Sequence, residues 1–192
     1  MDRLQTLKTK VIDLYEKKNP ERADWADWLY ENHVFDVAST AQELARRYGA
    51  KEELAAAGGM LHDIADAVMS RFDAAHEVKS TEIATELLRA SGFSEEEIDI
   101  IVNDAMKHHS CRDGQQPQTL EGQVVATADA VAHLTTNYYP ETMKMFAAEK
   151  GEDAAKKWAA PKIERDFHEK IFFDEVKVGV NYAYEKVKKL AE

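Results

Sequence analysis

An all-α fold in a single domain is what the sequence predicts, on three observations. Apolar residues recur at helical spacing in one segment after another, and no stretch alternates apolar and polar residues convincingly at period two. Ala, Glu, Lys and Leu, whose side chains lose little freedom in a helix, are abundant. Only 8 Gly and 4 Pro occur among 192 residues, so loops should be few and short. No internal repeat or low-complexity linker divides the chain, and residues 1–192 read as one domain.

The elements follow in order. Leu4, Leu7, Val11 and Leu14 predict a first helix to about Lys18. Asn19-Pro20 supplies an N-cap and first-turn pair for a second helix, with the stripe Leu29, His33, Val37, Ala41, Leu44 and Tyr48 and a stop at Gly49. A third should begin near Lys51 and carry Leu54, Gly58, Leu61-His62 and Ala65. A fourth presents His76, Ser80, Ile83-Ala84 and Leu87 before Gly92. Ser94 with Glu97 forms a capping box for a fifth, striped by Ile98, Val102, Ala105 and His109. Ser110 to Gln118, with Gly114 and Pro117, is the clearest loop. A helix from about Thr119 to Tyr139 should stop at Pro140, and the charged remainder should be helical with breaks near Gly151 and Pro161.

Charge and cysteine usage narrow the functional class. The net charge of -11 repels phosphate backbones, so polymeric nucleic acid is not an expected partner, although a locally positive pocket can hold a small phosphorylated molecule. The one cysteine, Cys111, rules out an internal disulfide and fits a reducing compartment. The first residues lack an apolar signal core, and no run of about 18 apolar residues exists to span a membrane. The expected location is cytoplasmic, with no membrane partner. The heptad-like first helix would suit its own domain or a second copy in a homodimer.

The chemistry concentrates on the apolar stripes. His33, His62, His76 and His109 each lie on the inward face of their own helix, and Asp129 shares a face with Val125 and Ala132. Burying such groups unpartnered costs several kcal/mol or more for a carboxylate, by order of magnitude, and a metal cation removes that cost. Imidazole and carboxylate together suit divalent iron, manganese, nickel, cobalt or zinc. Asp63, about 100° round the helix from His62, can reach the same ion.

His33, the Leu61-His62-Asp63 triplet, His76-Glu77, His108-His109-Ser110 and Thr127-Ala128-Asp129, in that order, resemble the HD-domain metal-dependent phosphohydrolases. The resemblance covers roughly Asn32 to Leu134, and it implies an HD-type helical bundle with its metal-binding core in about residues 30–135 and residues 141–192 as a helical extension. It implies one or two divalent ions (Fe, Mn, Ni, Co, Zn or Mg), with His33, His62, Asp63 and Asp129 as ligands of the main one. His76 and His109 match histidines that hold a second ion or a substrate phosphate. Asp63 would bridge two ions. His109 is favoured over His108 because it continues the inward stripe.

The implied reaction is hydrolysis of a small, nucleotide-like phosphate ester or anhydride by metal-activated water. Asp63 and Asp66 are the expected catalytic carboxylates. Asp66 follows Asp63 by three residues, but some family members carry glutamate at that offset, and Glu77 is the fallback. Lys79, one turn after His76, and Arg112, three residues after His109, are the expected phosphate partners, with Lys107 a weaker third. His133, one turn past Asp129, reads as structural, His168 as surface, and Cys111 as a small helix-end residue. Trp25, Trp28 and Tyr30 read as core or pocket lip. Two further functions fit the same ligands: an HD-type diiron oxygenase, and a non-catalytic metal- or nucleotide-binding regulator.

Overall fold

A computed structural model of the chain describes residues 2–192. Among them are ten α-helices and no strand, as the periodicity predicts. The central layer is α3 (Val34–Tyr48), α4 (Glu52–Leu61) and α7 (Leu120–Thr135), which pack on one another. α1 (Arg3–Glu16), α5 (His76–Arg89) and α6 (Glu95–Asp99) cover one side. α8 (Tyr138–Lys150), α9 (Glu152–His168) and α10 (Asp174–Lys188) cover the other, α8 chiefly through α9. The short α2 (Ala26–Asn32) leads into α3.

Small residues bring the central helices together. Ala55, Ala56, Ala57, Gly58 and Gly59 of α4 are all buried. A Cβ added at Gly59 would stand 2.8 Å from the Ala38 Cα of α3, so only hydrogen fits between the two backbones. One added at Gly58 would stand 3.0 Å from a methyl of Val125 on α7. The Ala-Gly run thus sets the depth of His62, which follows directly after α4.

Four helix boundaries depart from expectation. Asn19-Pro20 does not open the second helix: the Asn19 side chain accepts the Glu21 N–H at 2.9 Å, closing a turn, and α2 begins only at Ala26. The helix is also broken at His33 (φ -135, ψ -53), which separates α2 from α3. Pro140 does not stop a helix either. It lies in the first turn of α8, where its missing N–H would have had no intrahelical partner. Pro161 lies inside an unbroken α9, which packs on α7 and α8. Gly151 does separate α8 from α9, and Gly49 (φ 84) ends α3 with its N–H on the Ala45 carbonyl at 2.8 Å.

The segment before His109 is wound differently. Ser94 and Glu97 form the predicted capping box, and α6 then continues as a π-helical stretch, Ile100–Met106. Such winding shifts the residues that follow around the axis relative to an α-helix. The polar loop that follows includes a short 3₁₀ turn, Arg112–Gly114. It is tied back by Asp104, which accepts from the backbones of Gln118 (2.8 Å) and Thr119 (2.9 Å).

Candidate metal centre and anion cleft

Five elements deliver the polar side chains to one place. His33 comes from the α2–α3 break, His62 and Asp63 from the end of α4, His109 from beyond the π-helical stretch, and Asp129 from mid-α7. Asp66 lies on the 3₁₀ turn Ile64–Ala67. His33, His62 and Asp129 are at most 4% exposed.

Two sets of three groups each bring one ligand atom per residue within 4.8 Å of the others: His33, His62 and Asp129, and His62, Asp63 and His109. His33 Nε2 lies 3.2 Å from Asp129 Oδ1, and His62 Nε2 lies 3.6 Å from the same oxygen. His62 Nε2 is 3.5 Å from Asp63 Oδ2, and His109 Nε2 is 3.9 Å from Asp63 Oδ1. His62 and His109 turn Nδ1 to the carbonyls of Gly59 and Met106, which fixes Nδ1–H as donor and leaves Nε2 with its lone pair.

The donor atoms fit a metal. His33 Nε2, His62 Nε2 and Asp129 Oδ1 are buried without a hydrogen-bond partner. Each such atom costs about 1–3 kcal/mol, and three converging on one point are better satisfied by a cation than by one another. Protonation agrees with this. Burial depresses the His33 imidazole, and burial holds His109 down at about 4, so both are neutral near pH 7 and able to ligate. Burial alone would raise Asp63. Arg71, His62 and His109 outweigh it and keep the carboxyl well below the usual carboxylate range. Asp129 is likewise kept ionised against burial by His133 and Lys170.

The remaining expected residues divide. His76 lies outside both sets: its Nε2 is 2.9 Å from Asp66 Oδ1. Asp66 is fully buried, its oxygens taken by His76 and Arg71. Arg112 lines the cleft over the site, as do Glu77 and Lys107. Lys79 does not line it; its ammonium pairs with Glu82 at 3.0 Å on the exposed face of α5. His108 is not drawn to Asp63, whereas His109 is. Cys111 is buried, which raises its thiol to about 11 and suits a structural residue.

Four residues carry weight that the sequence reading did not assign. Arg71 donates to Asp63 Oδ2 at 2.7 Å and also bonds Asp66. His133, read as structural, brings Nε2 to 3.1 Å from Asp129 Oδ1 and stacks on His33 with centroids 5.1 Å apart. Asp166 binds His133 Nδ1 at 2.8 Å and accepts from the Tyr139 hydroxyl at 2.5 Å. Lys170 bonds Asp129 Oδ2 and lies 3.2 Å from Asp166 Oδ1. The available signals were spacing alone: His133 is four residues after Asp129, and Lys170 four after Asp166. Arg71 stands in a loop with no periodicity to mark it.

Above the ligands opens a polar cleft of about 250 Å³, lined by Arg71, Lys107, Arg112, Lys162, Arg165 and Lys170 among others. These six basic residues outnumber the four carboxylates of the lining, Asp63, Asp73, Glu77 and Asp129, so in a chain of net charge -11 the cleft carries a local surplus of positive charge suited to an anion.

Comparison with known proteins agrees with the fold. The HD domain family model matches residues 30–134. The chain belongs to this family, the HD-domain metal-dependent phosphohydrolase superfamily. Among curated proteins it is 38% identical over 101 residues to Ribonuclease Y of Thermosipho melanesiensis, covering 53% of this chain and 18% of that protein. It is 32% identical over 115 residues to Ribonuclease Y of Thermotoga maritima, covering 60% and 20%. It is 32% identical over 139 residues to Ribonuclease Y of Alkaliphilus metalliredigens, covering 70% and 26%. The chain thus spans about a fifth to a quarter of the length of these relatives. No solved structure matches it. Among the described residues no helix is long and apolar enough to cross a membrane.

Proposed function

We propose that the chain hydrolyses a small phosphate ester or anhydride, nucleotide-like in kind, at the site built on His62 and Asp63. The observation that carries this reading is the meeting of unpartnered His33 Nε2, His62 Nε2 and Asp129 Oδ1 beneath a cleft rimmed with cations. His33, His62, Asp63 and Asp129 would hold the main ion, and Asp63 and His109 would hold a second. The ion would be iron, manganese, nickel, cobalt, zinc or magnesium. A bound divalent ion lowers the pKa of a coordinated water and polarises a phosphoryl oxygen.

The protein groups divide the remaining work. Arg71 holds Asp63 Oδ2 and so aims Oδ1 toward His109, where it would hold the second ion and orient the water bound there. With both oxygens occupied, Asp66 is better read as the group that positions His76 and Arg71 than as a base. His76 then faces the cleft as a substrate or second-ion partner. Arg112 is retained as a phosphate partner, and Lys79 is dropped because Glu82 already neutralises it away from the cleft.

A second reading comes from the relatives, which are named ribonucleases: the scissile phosphate would belong to RNA. The net charge opposes a long polymer, so a short RNA is the form of this reading to test. A panel of a phosphomonoester, a nucleoside diphosphate, a dinucleotide and a short RNA, each with manganese, nickel, cobalt, iron, zinc or magnesium, separates the two. Release from the small compounds alone supports the proposal, and cleavage of RNA alone replaces it. Oxygen consumption with bound iron pairs would instead indicate the oxygenase, and bound metal without turnover the regulator.

A further inference from the structure

Eight arginines occur in the chain. Arg3, Arg22, Arg46, Arg47, Arg71 and Arg89 each pair with a carboxylate. Arg112 and Arg165 pair with none among the described residues, and both line the cleft. With 36 carboxylates against 25 Lys and Arg, acidic partners are abundant, so two unpaired arginines in one cleft call for another anion. Arg165 is the more telling: it is part-buried, and its Nε is buried without a hydrogen-bond partner.

We infer that Arg165 and Lys162, one turn apart on α9, form a subsite for a second phosphoryl group, so that the substrate is a diphosphate or longer phosphoric anhydride rather than a monoester. This rests on the phosphohydrolase reading of the cleft. The cations that touch the proposed ligand carboxylates are already engaged: Arg71 by Asp63 and Asp66, Lys170 by Asp129 and Asp166. Lys162 is held by no close carboxylate: its ammonium lies 3.3 Å from His133 Nδ1, 3.8 Å from Asp166 and 5.4 Å from the centre of the Tyr138 ring, and its side chain is 17% exposed. Asp73 and Glu77 also line the cleft, but neither pairs with Arg165 or Lys162. Arg112 and Arg165 thus stay without a carboxylate partner, with Lys162 beside Arg165, in addition to the cations that already serve Asp63, Asp66, Asp129 and Asp166. Arg165 can grip two phosphate oxygens in a fork, and Lys162 adds a point charge. Both residues lie outside the 30–134 match, so the C-terminal helices would set this chain's choice of substrate.

The test is titration calorimetry of the full chain with inorganic pyrophosphate and with orthophosphate, both in excess magnesium. The wild type should prefer pyrophosphate by about tenfold, as expected for one added charge-assisted contact. Arg165→Gln should remove most of that preference and leave orthophosphate binding unchanged, with Lys162→Gln a smaller effect in the same direction. Equal weakening of both anions, or no weakening of either, overturns the subsite. If Arg165→Gln does not fold, Arg165→Lys keeps the charge without the fork and should still show the selective loss; wild-type preference in that variant overturns the proposal. A pyrophosphate preference in a chain that turns over no substrate would keep the subsite and reject the hydrolase reading. Turnover without the preference would do the reverse.

Discussion

Lys170 bonds directly to Asp129, and both side chains are almost wholly buried. Asp129 therefore presents one oxygen to the histidines while Lys170, from beyond α9, holds the other. Burial alone would depress the Lys170 ammonium; Asp129 and Asp166 outweigh it and keep the group charged.

Lys170→Met should strip the cation from two buried carboxylates. Removing one member of a buried pair is expected to cost about 3–5 kcal/mol, read as a lower denaturation midpoint for the metal-free protein. Added divalent metal should restore part of that loss, because a bound ion stabilises the native state and also neutralises Asp129. Equal losses with and without metal would show that Lys170 supports the fold but not the site.

Gly59→Ala tests the α3–α4 contact. The added methyl would sit 2.8 Å from the Ala38 Cα, a backbone atom that cannot rotate away. A destabilisation of about 1–3 kcal/mol is expected for such overpacking, with weaker metal binding because His62 follows this helix. Chemical denaturation and metal titration on the same variant check both parts.

Arg3 donates to both oxygens of Glu97, at 2.6 and 2.8 Å, and also to Glu53. The Arg3 hydrogen bonds, with the Ser94 backbone, lower the Glu97 carboxyl to about 2. A carboxyl depressed in the folded state adds stability above its unfolded pKa, here about 4.5, which is lost as pH falls through about 2. Arg3→Ala should therefore cost about 1 kcal/mol at pH 7, screening by solvent included, and the difference from wild type should shrink between pH 4.5 and 2. A difference independent of pH would assign the loss to packing on Phe93, over which the Arg3 guanidinium lies at 4.5 Å.

Arg112→Ala should raise KM by about tenfold, as for the loss of one charged hydrogen bond, with kcat little changed. Lys79→Ala should leave both constants at their wild-type values, since its partner is Glu82. Steady-state kinetics on the two variants decide between the cleft as drawn and the sequence-based assignment of both cations.

Much of the fold and part of the site could be read from the chain. The stripes of α1, α3, α5 and α7 named their buried faces, and the Ser94–Glu97 capping box marked a helix start. His33, His62, His76, His109 and Asp129 stood out as polar groups on apolar faces, with Asp63 within reach of the same ion, and the structure brings all of them but His76 together. The break at His33 and the π-helical turns before His109 were not legible, because both depend on tertiary contacts that spacing does not encode. Pro140 misled because a proline in a first turn and a proline after a last turn look alike in sequence. Arg71, Asp166 and Lys170 were missed for a related reason. Each is an ordinary charged residue until the fold seals it against a carboxylate or histidine.

The most direct test of the central claim is metal-dependent phosphate release by the chelator-stripped chain, titrated with manganese in parallel with its His62→Ala and Asp63→Ala variants. The account predicts that activity on a diphosphate returns as metal occupancy rises, and that both variants stay inactive while remaining folded. Release that needs no metal, or that survives in both variants, would contradict it.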